Sequence, residues 1–258
     1  MDDLVLYKVE NRVAWITLNR PEKRNALNPE LITELTRGYK QAEDDDAVKV
    51  IVLKAEGGIF SAGADLAYLQ QLQNNSHEEN IADSERLKEL FTSIYNNSKI
   101  TIAQVEGHAI AGGCGLATVC DFVFAVPEAK FGYTEVKIGF IPALVAAFLV
   151  RKIGEGRAKE LLLSGNLINA QTAGSYGLIN FVADKSEIAE KVKVYAEELC
   201  QGTSAGSIRL TKQLLIDIEN QPLQQALNTA VHANANARRT EDFKRGIGGF
   251  LKGEKLSW

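Results

Sequence analysis

Three short, nearly continuous apolar runs, Val48 to Leu53, Thr101 to Val105 and Phe122 to Val126, constrain the fold of this chain more than any other feature. A strand open to water on one face alternates apolar and polar residues, whereas an unbroken apolar run of this length reads as a strand covered on both faces. Each run is followed by a small or glycine-containing segment and then by a helical pattern. That β-then-α order predicts right-handed crossovers and a largely parallel sheet.

Residues 4–9 and 12–18 are β-rich and flank Glu10-Asn11, a hairpin signal. Asn28 offers an N-cap, Pro29 fits the first helical position, and Leu31, Leu35 and Tyr39 share one helical face, so a helix is expected over 29–43. From about 142 the pattern turns helical: 143–152, 155–163, 170–176, 187–200, 207–219, 222–237 and 240–251. Only Leu178 to Val182 interrupts it with a strand-like run. The most polar stretch, 74–88, reads either as a surface segment near a site or as a solvated helix. The residues thus describe a mixed α/β core followed by a helical C-terminal third, with neither repeat nor linker between them.

With 45% hydrophobic and 24% charged residues, the 258-residue chain lies in the ordinary globular range. A formal charge of -4 and no basic run argue against nucleic acid as a partner. Cys114, Cys120 and Cys200 lack CxxC spacing, which suggests neither a disulfide framework nor a structural zinc, and no metal site is expected. No signal-peptide pattern opens the chain, and no apolar run reaches the roughly 20 residues needed to span a bilayer, so a cytoplasmic protein without a membrane partner is expected.

Two small-residue loops follow predicted buried strands: Gly57-Gly-Ile-Phe-Ser-Ala-Gly-Ala-Asp65 and Gly107-His-Ala-Ile-Ala-Gly-Gly-Cys-Gly115. Alanine and glycine admit a ligand close to the main chain, so neighbouring loops of this kind could aim two N–H donors at one oxygen. The plainer reading is tight turns and close packing. Neither loop fits a nucleotide fingerprint. Downstream, Glu135 stands among Phe131, Tyr133, Val136, Ile138 and Phe140, an apolar setting that would raise its pKa toward acid/base use; otherwise it is an exposed helix-start residue. Gly202-Thr-Ser-Ala-Gly206, with Asp217 and His232 downstream, fits GxSxG but follows a helix, whereas a nucleophile elbow needs a strand. His108 in the second loop could touch substrate or serve as a packing or hydrogen-bonding residue, and His77 and His232 have no partner at ligand spacing.

Ser61-Ala-Gly-Ala-Asp65, Gly112-Gly-Cys-Gly-Leu-Ala-Thr-Val-Cys-Asp121 and Ala129-Lys-Phe-Gly-Tyr-Thr-Glu135, in that order, resemble the signature of the crotonase (enoyl-CoA hydratase/isomerase) family. The likeness runs from Asn19-Arg-Pro-Glu-Lys-Arg-Asn-Ala-Leu27 to the last helix. It implies an α/β fold, a crotonase-like spiral of β-β-α units with a helical C-terminal region. The core would span residues 1–195 and an oligomerisation region residues 196–258, assembling a homotrimer or a dimer of trimers. It also implies an acyl-CoA thioester as substrate, with coenzyme A entering as part of that substrate and no separate cofactor. The matching positions make Ala62 and Gly112 the oxyanion-hole donors and Glu135 the acid/base. Gly63, Ala64 and Asp65 would border the coenzyme, with Asp65 ordering the loop, and Phe243, Phe250 and Lys252 would approach it from the C-terminal helix.

The chain departs from the two-glutamate pattern of the family's hydratases at Gly115, where the first glutamate would stand. A second departure is Pro142-Ala-Leu-Val-Ala-Ala-Phe-Leu149, where relatives carry glycines. Local motifs are similar to bacterial methylglutaconyl-CoA hydratases of leucine degradation, implying hydration of a short or branched 2-enoyl-CoA such as 3-methylglutaconyl-CoA. A lone glutamate also suits a 3,2-enoyl-CoA isomerase, and a decarboxylase or a non-catalytic acyl-CoA binder completes the alternatives. Glu106, beside the second loop, is the reserve candidate for the acid/base.

Overall fold

Asn11 and Arg12 both take left-handed backbone angles, φ 50° and 67°. A turn of this kind matches strand twist, and it joins β1 (Val5–Glu10) to antiparallel β2 (Val13–Leu18). The computed structural model describes residues 3–254 and 256–258. Helix α1 (Pro29–Asp44) begins where the Asn28 side chain accepts the Leu31 N–H at 3.0 Å. It buries Leu31, Leu35 and Tyr39, the face expected from their spacing.

The first apolar run becomes β3 (Val50–Ala55), and the chain passes directly into the three-residue β4 (Ile59–Ser61). Helices α2 (Leu66–Leu72) and α3 (His77–Tyr95) follow. The polar stretch 74–88 is therefore largely solvated helix, opened by a capping box between Ser76 and Glu79. The second run forms β5 (Ile100–Val105), then β6 (His108–Ile110) and α4 (Gly112–Thr118). The third forms β7 (Phe122–Ala125), β8 (Lys130–Gly132), a 3-10 turn over Glu135–Ile138 and α5 (Ala143–Ile153).

Three successive strand pairs thus place one strand in each of two sheets before a helix returns the chain, which is the expected spiral of β-β-α units. After α6 (Glu155–Ser164) come β9 (Ile168–Asn169), α7 (Ala170–Tyr176) and β10 (Phe181–Val182). The larger sheet runs β1-β2-β3-β5-β7-β10 and is parallel except for the first hairpin. The smaller runs β4-β6-β8-β9, with only β9 antiparallel to its neighbour. Sequence patterning shows the first sheet and misses the second, because strands of two or three residues display no period.

The chain closes with α8 (Ile188–Gly202), α9 (Ala205–Ile218), α10 (Leu223–Ala237) and α11 (Glu241–Lys252). Helix α8 buries Ile188, Val192, Ala196 and Cys200 against the large sheet, a stripe at four-residue spacing. Helices α9 and α10 bury no residue, and α11 buries only Gly249.

Candidate active site

The two small-residue loops meet because a non-local zip fixes the first of them. Buried Asn25, itself left-handed at φ 51°, donates from its amide to the Glu56 and Ile59 carbonyls at 2.9 and 2.8 Å. Leu27 N–H donates to the Gly63 carbonyl and Asp65 N–H to that of Leu27, at 2.7 and 2.8 Å. Residues 24–27 and 62–65 therefore run as a short parallel ladder.

Asp65 secures the ladder's far end. Its carboxylate caps α2 by accepting the Ala67 N–H at 2.9 Å and pairs with Arg20 at 2.6 Å. Burial opposes its ionisation, but the Arg20 hydrogen bond and the Tyr68 and Ala67 N–H groups outweigh it and hold the carboxyl below its usual range. Asp65 is thus occupied in ordering the loop.

The same ladder corrects one expectation. Ala62 donates its N–H to the Arg24 carbonyl at 3.0 Å, so that group is already committed. Ala64, two residues on, donates to no acceptor among the described residues, and neither does Gly112. Gly63 brings these two groups together: at φ 87°, its missing Cβ would stand 2.8 Å from the Ala111 Cβ and 3.4 Å from the Gly112 nitrogen. Ala111 itself sits at φ 51°, ψ −126°, a region costly for any residue with a side chain, and that bend turns the chain into α4 at Gly112.

Glu135 arrives from the third repeat. Just before it, Tyr133 is fully buried and its hydroxyl lies 2.7 Å from the Thr118 hydroxyl at the end of α4. The acid is thereby tied to the helix that carries Gly112. Its Oε2 is buried without a hydrogen-bond partner among the described residues. Desolvation raises its pKa, partly offset by a hydrogen bond from its own backbone N–H.

A cavity of about 300 Å³ is lined by Ala64, Gly112 and Glu135 together. Ala62 also reaches its wall, although the Ala62 N–H is spent elsewhere. Most other lining residues are apolar, from α2, α3 and the segment 138–145. Gly115 leaves no room for a side chain: a Cβ there would lie 2.5 Å from Val145 Cγ1 and 2.9 Å from Phe91 Cζ. The replaced run at 142–149 thus fills the space of a second glutamate with hydrocarbon. A polar wall that sequence reasoning missed is formed by Tyr68 and Asp83, whose side chains are hydrogen-bonded to each other. Only Asp83 of the pair lies inside the polar stretch 74–88; Tyr68 stands on α2. Burial and the Asp83 hydrogen bond raise the Tyr68 pKa, so its hydroxyl remains a donor.

The other candidates fall outside the lining of this cavity. His108 accepts the Lys130 N–H at 3.3 Å, and Glu106 accepts from Gln104 at 2.7 Å. Phe243, Phe250 and Lys252 lie on α11, with Phe250 81% exposed. Ser204 caps α9 in the turn between two helices, so the GxSxG match is no nucleophile elbow.

Comparison with known proteins places the chain in a family. The enoyl-CoA hydratase/isomerase family profile matches residues 8–258. A Thermus thermophilus protein, provisionally described as an enoyl-CoA hydratase, is 44% identical over 94% of this chain and 96% of its own. The crotonyl-CoA hydratase of Syntrophomonas wolfei is 33% identical over 100% and 98%. An enoyl-CoA hydratase from Mycobacterium smegmatis superposes with a TM-score of 0.93 at 25% identity, covering 100% of this chain and 99% of that structure. With its signature loops, β-β-α spiral and full-length relatives in agreement, this chain belongs to the enoyl-CoA hydratase/isomerase family.

Proposed function

We propose that the chain hydrates a short or branched 2-enoyl-CoA, with Glu135 as its only acid/base and the N–H groups of Ala64 and Gly112 as the oxyanion hole. The observation that carries this reading is the desolvated Glu135 carboxyl, its Oε2 without a partner among the described residues, in one cavity with two unspent backbone donors. Ionised Glu135 takes a proton from water as the water oxygen bonds to Cβ. Charge then moves to the thioester oxygen, where Ala64 and Gly112 donate to it. Glu135 returns its proton to Cα, completing the 3-hydroxyacyl thioester. Hydration moves one proton through protein, so one carboxyl balances the reaction.

The hydrocarbon against Gly115 supports a second reading, a 3,2-enoyl-CoA isomerase in which Glu135 carries a proton between Cα and Cγ. Incubation with crotonyl-CoA, 3-methylglutaconyl-CoA and a 3-enoyl-CoA separates the two by mass. Hydration adds the mass of water, and isomerisation leaves the mass unchanged. Local motifs favour the branched 3-methylglutaconyl thioester, which is why it belongs in that set.

The residues lining the cavity all precede residue 146. Residues 1–195 are accordingly assigned to the catalytic core and 196–258 to assembly of a homotrimer or dimer of trimers. Phe250 and Lys252 would serve coenzyme A across the subunit boundary.

A further inference from the structure

The Glu135 carboxyl is steadied by its own main chain and by no other side chain among the described residues. Its own backbone N–H hydrogen-bonds to it, and Oε2 has no partner. Its place in the cavity is therefore set by where the chain carries it. Downstream the hold is slight: no residue between Tyr133 and Val145 is buried, and Ile138, Phe140 and Ile141 are exposed. Tyr133, two residues before the acid, is the last point at which this segment is seated in the core.

The seat is a directional hydrogen-bond chain. The Thr118 hydroxyl donates its single proton to the Cys114 carbonyl at 2.8 Å, so in the 2.7 Å contact between the two hydroxyls it is Tyr133 that donates. Both side chains are buried and neither lines the cavity. Thr118 ends α4, whose first residue is Gly112. A main-chain bond joins the same two segments earlier, from the Ala111 N–H to the Gly132 carbonyl at 2.8 Å. The segments are thus pinned twice. The main-chain bond fixes where they meet, and the hydroxyl bond fixes how residues 133–135 are turned about that point.

We infer that Tyr133 is a positioning residue for the reaction: through its hydrogen bond to Thr118 it sets Glu135 against the Gly112 N–H. The inference rests on the acid/base reading of Glu135 proposed above. Acid and donor serve different atoms of one substrate, so an error in their separation is felt in the transition state more than in binding.

Three variants test this. Tyr133→Phe removes the hydroxyl and keeps the ring, Thr118→Val breaks the same bond from its other end, and Thr118→Ser keeps it. Turnover is followed on whichever panel thioester the protein consumes, since Glu135 carries the proton in hydration and in isomerisation alike. It is read per binding site, titrated with butyryl-CoA, so that unfolded protein does not count. Tyr133→Phe and Thr118→Val should each lower kcat by roughly ten- to hundredfold and leave the butyryl-CoA dissociation constant nearly unchanged. The double variant should be no slower than the slower single one, because one bond is lost in all three proteins. Thr118→Ser should stay close to wild type. Wild-type kcat in Tyr133→Phe or Thr118→Val, losses that multiply in the double variant, a Thr118→Ser protein as slow as Thr118→Val, or a kcat loss matched by weaker butyryl-CoA binding would overturn the inference. If Tyr133→Phe does not fold, Thr118→Val against Thr118→Ser decides it. Failure of the acid/base reading is a separate result: Glu135→Gln would then keep its turnover.

Discussion

Glu135 is a carboxyl held where its charge is unwelcome, and both its reactivity and its stability effect follow from that. Gln keeps its shape but cannot carry a proton, so Glu135→Gln should lower turnover by roughly 10²–10⁴-fold while sparing thioester binding. The pH profile should show the same group. A base must be ionised, so kcat/KM should fall as pH drops through a value above the ordinary carboxylate range, in the direction of the burial-driven shift. The sign for stability is opposite to that of a salt-bridged acid: folding favours the protonated form, and the fold weakens as pH rises from the ordinary carboxylate pKa to the raised one. Thermal unfolding at pH 8 should therefore find Glu135→Gln no less stable than wild type. Glu135 was legible as a candidate through the Ala129–Glu135 motif and its resemblance to the family signature, since its apolar neighbours alone left an exposed helix-start residue open. Ala64 was not, because only the distant Arg24 carbonyl shows that the Ala62 N–H is already taken.

At the scale of elements, the site depends on contacts between segments rather than on any one helix. Asn25 is the clearest case, since its amide holds the Glu56 carbonyl of the β3–β4 connection and the Ile59 carbonyl at the start of β4, and its own carbonyl accepts the Ser61 hydroxyl at 2.8 Å. Asn25→Ala leaves those buried acceptors bare and should cost about 1–3 kcal/mol in urea unfolding. It should also weaken thioester binding, because the 62–65 loop hangs on the same ladder. Gly115 makes the complementary case between α4 and α5. Gly115→Ala drives a methyl into Val145 and Phe91 and should cost roughly 1–3 kcal/mol by overpacking, measurable in the same titration. Gly115→Glu alone should consequently fail to create a two-carboxylate enzyme, and a paired Val145→Gly is needed to make room. The sequence shows Gly115 as a missing acid; the packing that fills its place joins residues 24 to 30 positions apart and has no local signature.

For the whole molecule, the decisive feature is the apolar surface left by the last three helices. Leu223, Leu227 and Val231 follow one another at four-residue spacing on α10 and are 76%, 51% and 66% exposed. A stripe of that kind, on a helix with no fully buried residue, is suited to a partner of the same fold. Phe250 and Leu251 extend the apolar surface on α11, at 81% and 78% exposure. If three copies associate through these helices, Leu227→Glu should place an unpaired charge in the interface and shift the protein toward monomer in sedimentation velocity. Residues 1–195 hold the whole cavity, so the monomer should keep its circular dichroism and the raised acid limb of Glu135. It should lose affinity for coenzyme A thioesters to the extent that Phe250 and Lys252 serve a neighbouring copy. Lys252→Ala supplies the matching measurement: in the intact oligomer it should weaken coenzyme A binding more at low salt than at moderate salt, as pairing with coenzyme phosphates requires. A wild-type protein that sediments as a monomer at working concentration would rule out the assembly and, with it, any contribution of α11 to a neighbour's site.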